Sequence, residues 1–222
     1  MADDTPPAKR VKLDFSQHVR VLVGPKKQEF VVHKDVIIPR SGFFKAAVSS
    51  RWSAGGDGKS VKLGDEDPLV FAKYLECLYT STVHMDDAVS DQREAIELYV
   101  LADKLGDLKS ANIIIDRIMA WIDQTEIIPG VSCVAYALAN STEKSQLRRL
   151  LVDYYVHECD GKAFEEATQS PELCIEIVRE YARLKICSWD ATVDNVFNEE
   201  CSKRQRCYYH QHDETCPPCA AS

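Results

Sequence analysis

Residues 30–48 read FVVHKDVIIPRSGFFKAAV, a stretch in which a strand hands over to a helix. Phe30, Val31 and Val32 are three consecutive β-favouring residues, His33-Lys34 is a polar break, and Ile37, Ile38, Phe43, Phe44 and Val48 populate a helical segment. The spacing predicts one helix over about residues 35–49, with Pro39 in its early part. No catalytic group is evident in the stretch.

Upstream, Val19, Val21 and Val23 alternate with Arg20 and Leu22, and Gly24-Pro25-Lys26-Lys27 punctuates before the β pattern resumes at Glu29, which predicts a hairpin. Downstream, SAGGDGKS (53–60) is a connector to a short strand at Val61 to Leu63; its glycines lack the spacing and the strand-to-helix setting of a phosphate loop. Asp67-Pro68 pairs an N-cap with a proline at the first helical position, and Phe71, Tyr74, Leu75 and Leu78 then recur at helical spacing. A second helix carries Ala95, Leu98, Tyr99, Ala102 and Leu105 and ends near Gly106, a C-cap residue. Asp107 caps a third, with Leu108, Ala111, Ile115, Ile118 and Ile122 on one face. Cys77 reads as a small buried residue rather than a nucleophile.

Taken in order, the strand-to-helix stretch, FAKYLECLYTSTV (71–83) and LYVLADKLGDLKSANIIID (98–116) resemble the signature blocks of a BTB/POZ domain, over roughly residues 19–123. Trp52, Ser53, Gly55 and Gly56 resemble the fungal branch of that family. The resemblance implies an α+β fold, a small sheet packed among helices, that self-associates and recruits other proteins. It implies a homodimer or partner surface that includes Lys34, Phe43, Phe44 and Trp52, since family dimers bury an apolar face such as that of Phe43, Phe44 and Val48. Two positions depart from the family. Where cullin-recruiting members carry a hydrophobic residue followed two positions later by Glu, this chain reads Trp52-Ser53-Ala54, so a cullin contact loses a charged hydrogen bond. Where the repressor branch pairs an Asp with a base after the His, Lys34 supplies the base but His18 replaces the Asp. A nuclear adaptor is therefore expected ahead of the alternative, a substrate receptor of a cullin ubiquitin ligase, and no enzyme is expected.

Beyond Asp123 the pattern stays helical. Pro129-Gly130 breaks it, Val131 to Leu138 forms one helix, and Leu147, Leu150, Leu151 and Tyr154 mark the stripe of another. Ser170 caps a last helix with Cys174, Ile177, Val178, Tyr181 and Leu184 on one face. The expected division is 1–14 a disordered tail, 15–125 the BTB/POZ unit, 126–186 a helical extension packed on it, and 187–222 a Cys/His-bearing tail.

The 222 residues carry a formal net charge of −8, which demotes direct nucleic-acid binding, because that rests on clustered Lys and Arg. No window has the run of about 18 apolar residues that a membrane helix needs, and the first residues lack an apolar signal core, so a soluble intracellular chain with reduced thiols is expected. PPAKRVKLD (6–14) resembles the nuclear import signal of a Myc-type transcription factor. Lys9, Arg10 and Lys12 on an extended segment suit the acidic pockets of an importin-α-type receptor, and the bland alternative is an ordinary charged tail. Nuclear localisation is the expectation.

Four of the nine cysteines crowd the end of the chain. Cys207, His210, His212 and Cys216, with Cys219 as substitute, offer soft ligands at turn-sized spacing, the pattern of a structural zinc site, with Tyr208 and Tyr209 packing beside it. A thiol-bearing tail without structure and a Cys216–Cys219 redox pair are the competing readings; a catalytic dithiol normally opens a helix, which disfavours the second.

Overall fold

The computed structural model describes residues 14–52, 60–84, 89–158, 161–187, 206–214 and 216–219. Strand β1 (His18–Val23) buries Val19, Val21 and Val23 and turns His18 and Arg20 outward, as the alternation requires. It pairs antiparallel with β2 (Gln28–His33), Val21 facing Phe30. The turn between them needs Gly24: its φ is 73°, and a Cβ there would lie 3.1 Å from the Pro68 ring. Strand β3 (Ser60–Leu63) runs parallel to β1 on its other side, Val61 beside Val21 and Leu63 beside Val23, giving the order β2-β1-β3. Parallel pairing demands a long crossover. Helices α1 (Lys34–Arg40) and α2 (Gly42–Trp52) lie within it.

These two helices correct the expectation of one. Ser41 is extended (φ −114°, ψ 116°) and ends α1. Its hydroxyl donates to the Leu105 carbonyl at 2.5 Å and accepts from Phe44 N at 3.2 Å, so Ser41 starts α2 and ties it to the end of α4. Gly42 N and Phe43 N also donate to the carbonyls of Gly106 and Leu105, backbone partners that a continuous helix would have satisfied internally.

Helix α3 (Pro68–Thr80) begins as its cap predicts, Asp67 accepting from Leu69 N at 2.6 Å. Phe71, Tyr74, Cys77 and Leu78 are buried, and burial pushes the Cys77 thiol upward, as suits a packing residue. Helix α4 (Val89–Lys104) ends at Gly106, whose φ is 65°, and α5 (Leu108–Thr125) follows from its cap Asp107. The extension consists of α6 (Val131–Asn140), α7 (Gln146–His157), α8 (Gly161–Ala167) and α9 (Pro171–Cys187), of which α8 gave no sequence signal. The buried face of α9 differs from the one expected: Leu173 and Ile177 are buried, whereas Val178 is 65% exposed. Apolar residues at 173, 174, 175, 177 and 178 spread around the helix, so periodicity alone does not choose its inward side.

The extension and the N-terminal unit share one hydrophobic core, from Val19 to Tyr209. Arg93 of α4 stacks 3.7 Å over the Tyr136 ring of α6, and Tyr155 of α7 donates to the Pro129 carbonyl at 2.9 Å. Tyr99 of α4 is 1% exposed, and burial pushes its phenol up to about 12. A raised folded value stabilises fully below the unfolded value of 10.0, and that contribution is lost as pH climbs towards 12. Stability should therefore fall above about pH 10, by at most about 1.4 kcal/mol per pH unit from this group, and less steeply in Tyr99→Phe when denaturant midpoints are compared across alkaline pH.

Candidate functional site

Two regions carry what the sequence singled out. The first is the surface of the N-terminal unit. Phe43, at the start of α2, is 38% exposed, whereas Phe44 is 0% exposed and meets Phe43 edge to face at 5.3 Å. Phe44 thus belongs to the core of its own chain and is corrected from a surface residue to a packing residue, and so is Val48. Lys34 begins α1; its Nζ donates to Gln17 Oε1 at 3.2 Å and its N–H to the Gln17 carbonyl. At the same end of the sheet His33 sits 5.0 Å from the Phe15 ring and 5.8 Å from that of Tyr79, both half exposed. Tyr79 Oη accepts from His33 N at 3.1 Å. Val31 lies on the outer face of the edge strand β2, 57% exposed. The side chain of Trp52, and Lys9, Arg10 and Lys12, lie outside the described residues.

The second region is the C-terminal segment. A 3-10 turn, Arg206–Tyr209, sets Tyr209 into the core at 1% exposure, where its hydroxyl donates to Asp153 Oδ2 of α7 at 2.9 Å. Arg149 of α7 stacks 3.7 Å over Tyr208. On the α5 side, Asn112 donates to the Gln211 carbonyl at 2.8 Å and accepts from Gln211 N at 3.0 Å, pairing with the segment's backbone as a strand neighbour would. The segment is therefore docked between α5 and α7.

That docking gathers the thiols and imidazoles. Ligand atoms of Cys207, His212 and Cys219 all lie within 4.8 Å of one another. His212 Nε2 is 3.2 Å from Cys207 Sγ, and His210 Nδ1 is 3.1 Å from Cys219 Sγ. Cys216 instead accepts from Asn112 Nδ2 at 3.4 Å. The ranks expected of Cys216 and Cys219 are thus exchanged: Cys219 Sγ joins the cluster, and Cys216 turns to α5. Desolvation, and then the neighbouring Cys207, push the Cys219 thiol upward.

The far nitrogens of both rings are also held. His210 Nε2 is 3.1 Å from Asp116 Oδ1, and His212 Nδ1 is 3.3 Å from the Cys216 carbonyl. Asp116 and Asn112 carried no sequence expectation. Their signal was a pair of polar residues four apart on α5, the first of them buried amid the isoleucines, a placement that asks for a partner.

Elsewhere the buried acid Asp107 is taken up by structure. It accepts from Arg40 Nε at 3.1 Å, from Ser110 N and Oγ, and from Tyr74 Oη at 3.2 Å. Among the described residues this network faces the core rather than a cleft.

Residues 14–110 match the BTB/POZ domain family. No curated protein and no solved structure matches the chain. The N-terminal part of the chain is a BTB/POZ domain, with its small three-stranded sheet packed among helices and a helical extension behind it. Domains of this family generally mediate self-association and binding to other proteins rather than catalysis.

Proposed function

We propose that the protein is a nuclear adaptor or regulator that dimerises through its BTB/POZ domain and holds partner proteins on it. The observation that carries this reading is apolar surface left uncovered on the domain: Phe43 on α2, and Phe15, Val31 and Tyr79 around His33. Phe43 serves self-association, since Phe44 behind it holds the backbone of α2 rigidly against the core while the outer ring is free to insert into a partner. Light scattering of the full chain at tens of micromolar is expected to give about twice the 25.0 kDa of one chain. Phe43→Ser should shift the mass to that of the monomer with little change in thermal midpoint. A parent chain that stays monomeric overturns the reading.

Nuclear location rests on the basic cluster Lys9, Arg10 and Lys12, whose charges fit an importin-α-type groove. In a fluorescent fusion too large for passive passage, replacing all three by Ala is expected to abolish nuclear enrichment; unchanged enrichment refutes it. The cullin-receptor alternative rests on Trp52-Ser53-Ala54, whose missing Glu weighs against it, and a pull-down with a cullin distinguishes the two.

A further inference from the structure

We propose that Cys207, His210, His212 and Cys219 hold one zinc-class divalent ion, and that Asp116 of the BTB-proximal helix α5 is its outer carboxylate, so that the metal clasps the C-terminal segment across α5 and α7.

The tautomers carry the argument. A carbonyl oxygen accepts and never donates, so the contact between His212 Nδ1 and the Cys216 carbonyl requires the proton on Nδ1. That leaves the Nε2 lone pair facing Cys207 Sγ. Asp116, as a carboxylate, likewise takes the proton on His210 Nε2 and leaves the Nδ1 lone pair facing Cys219 Sγ. The His210 side chain is 5% exposed, so its ring is fixed in that sense. Two imidazole lone pairs, each directed at one thiol, make up the donor set of a Cys₂His₂ site, each His fixed from behind by an acceptor as metal-bound histidines ordinarily are.

Spacing and charge agree. In a tetrahedron with zinc–sulfur bonds of about 2.3 Å and zinc–nitrogen bonds of about 2.0 Å, ligand atoms lie roughly 3.3–3.8 Å apart. The nitrogen–sulfur distances of 3.2 and 3.1 Å, and the 4.8 Å limit within which Cys207, His212 and Cys219 all fall, bracket that span for three ligands, while His210, in contact with Cys219 but outside that triplet, closes in as the fourth when the ion binds. Two thiolates neutralise a divalent cation, and binding releases both thiol protons. The remaining negative charge of Asp116 strengthens His210 as a ligand through its ring.

The clasp joins parts of the chain far apart in sequence. Tyr209 fixes the segment to α7 through Asp153, while Asn112 and Asp116 fix it to α5, so the ion completes a bridge whose other contacts are already in place.

The full chain, purified under reducing conditions without chelator, is expected to contain one equivalent of zinc by elemental analysis. Its cobalt-substituted form should show the intense visible bands of a tetrahedral thiolate site. Cys207→Ser and Cys219→Ser should each lose the metal, while Cys216→Ser keeps it, and circular dichroism should show the helical core intact in all three. Asp116→Ala should weaken zinc affinity by about 10- to 100-fold with the cobalt bands retained at saturating metal, and Asp116→Asn, which can still accept from Nε2, should recover part of that loss. Chelation should raise hydrogen exchange over residues 206–219 and leave α3 unchanged. A zinc-free chain that takes up no added Zn²⁺, a Cys207–Cys219 disulfide persisting in reductant, or a Cys219→Ser variant binding as tightly as the parent overturns the proposal. So does an Asp116→Ala variant of unaltered affinity, as far as the outer carboxylate is concerned.

Discussion

Replacing Asp107 by Ala is expected to cost about 3–5 kcal/mol of unfolding free energy, enough to leave a domain of ordinary stability marginally folded. The carboxylate is fully buried and answers four donors at once. Removing it leaves Arg40, whose side chain is 17% exposed, as a charge without its counterion in a poorly solvated site. The Tyr74 hydroxyl on α3 loses its acceptor, and the first turn of α5 loses its cap. Asp107→Asn should cost less, because an amide oxygen still caps α5 while the ion pair is lost. In a double-mutant cycle with Arg40→Ala, the double variant should be less destabilised than the sum of the two single ones, since removing the guanidinium removes the charge that Asp107→Ala strands. Urea unfolding followed by circular dichroism measures the parent and the four variants. A loss below about 1 kcal/mol for Asp107→Ala, the size of an exposed cap alone, would mean that the buried network contributes nothing beyond the cap.

Asp107 also shows what the sequence makes legible. Its capping role was readable because a cap is a local signal, a short polar residue directly before an apolar repeat, as with Asp67-Pro68. The outward and inward faces of β1 were readable for the same reason. That Asp107 would also gather Arg40 from α1 and Tyr74 from α3 was not readable, because those contacts cross 67 and 33 positions of sequence. The break at Ser41 was hidden likewise. Its cause is the Leu105 carbonyl, 64 positions away, while Pro39, the obvious local breaker, sits inside α1. Parallel pairing of β3 with β1 leaves no mark in a four-residue strand.

The C-terminal cluster divides in the same manner. Residue types and turn-sized spacing announced a metal-ligand set, and Tyr208-Tyr209 announced packing beside it. Which sulfur joins was decided by tertiary contacts: Asn112 takes Cys216, and Asp116 presents His210 to Cys219. Absence of an apolar stripe after residue 189 suggested a segment with little to order it. Tyr209 helps to order its end with a buried ring and a hydrogen bond to Asp153. A single deeply inserted aromatic needs no periodicity, which is why periodicity did not find it.

Leu150→Ala, in the middle of α7, is expected to destabilise the BTB/POZ domain and not the extension alone. Leu150 is 0% exposed and belongs to the same core cluster as Val21 of the sheet, through α6, α4 and α5. Truncating it removes buried methyl groups and leaves a cavity, a change worth about 2–5 kcal/mol in a core that cannot collapse around it. If the extension were a separate unit, that loss would fall on α6 to α9 while the sheet and α1 to α5 unfolded at their parental midpoint. Tyr99 argues otherwise: it lies on α4 and is 1% exposed, and the start of α7 at 145–147 lies beside its hydroxyl, so α4 is covered in part by the extension. Trp121 of α5, 1% exposed, supplies an internal reporter. Unfolding followed by tryptophan fluorescence and by backbone circular dichroism should give coincident transitions in the parent, and in Leu150→Ala both should move together to lower denaturant. Two transitions, with only one displaced, would show that the helical extension folds independently of the domain it covers.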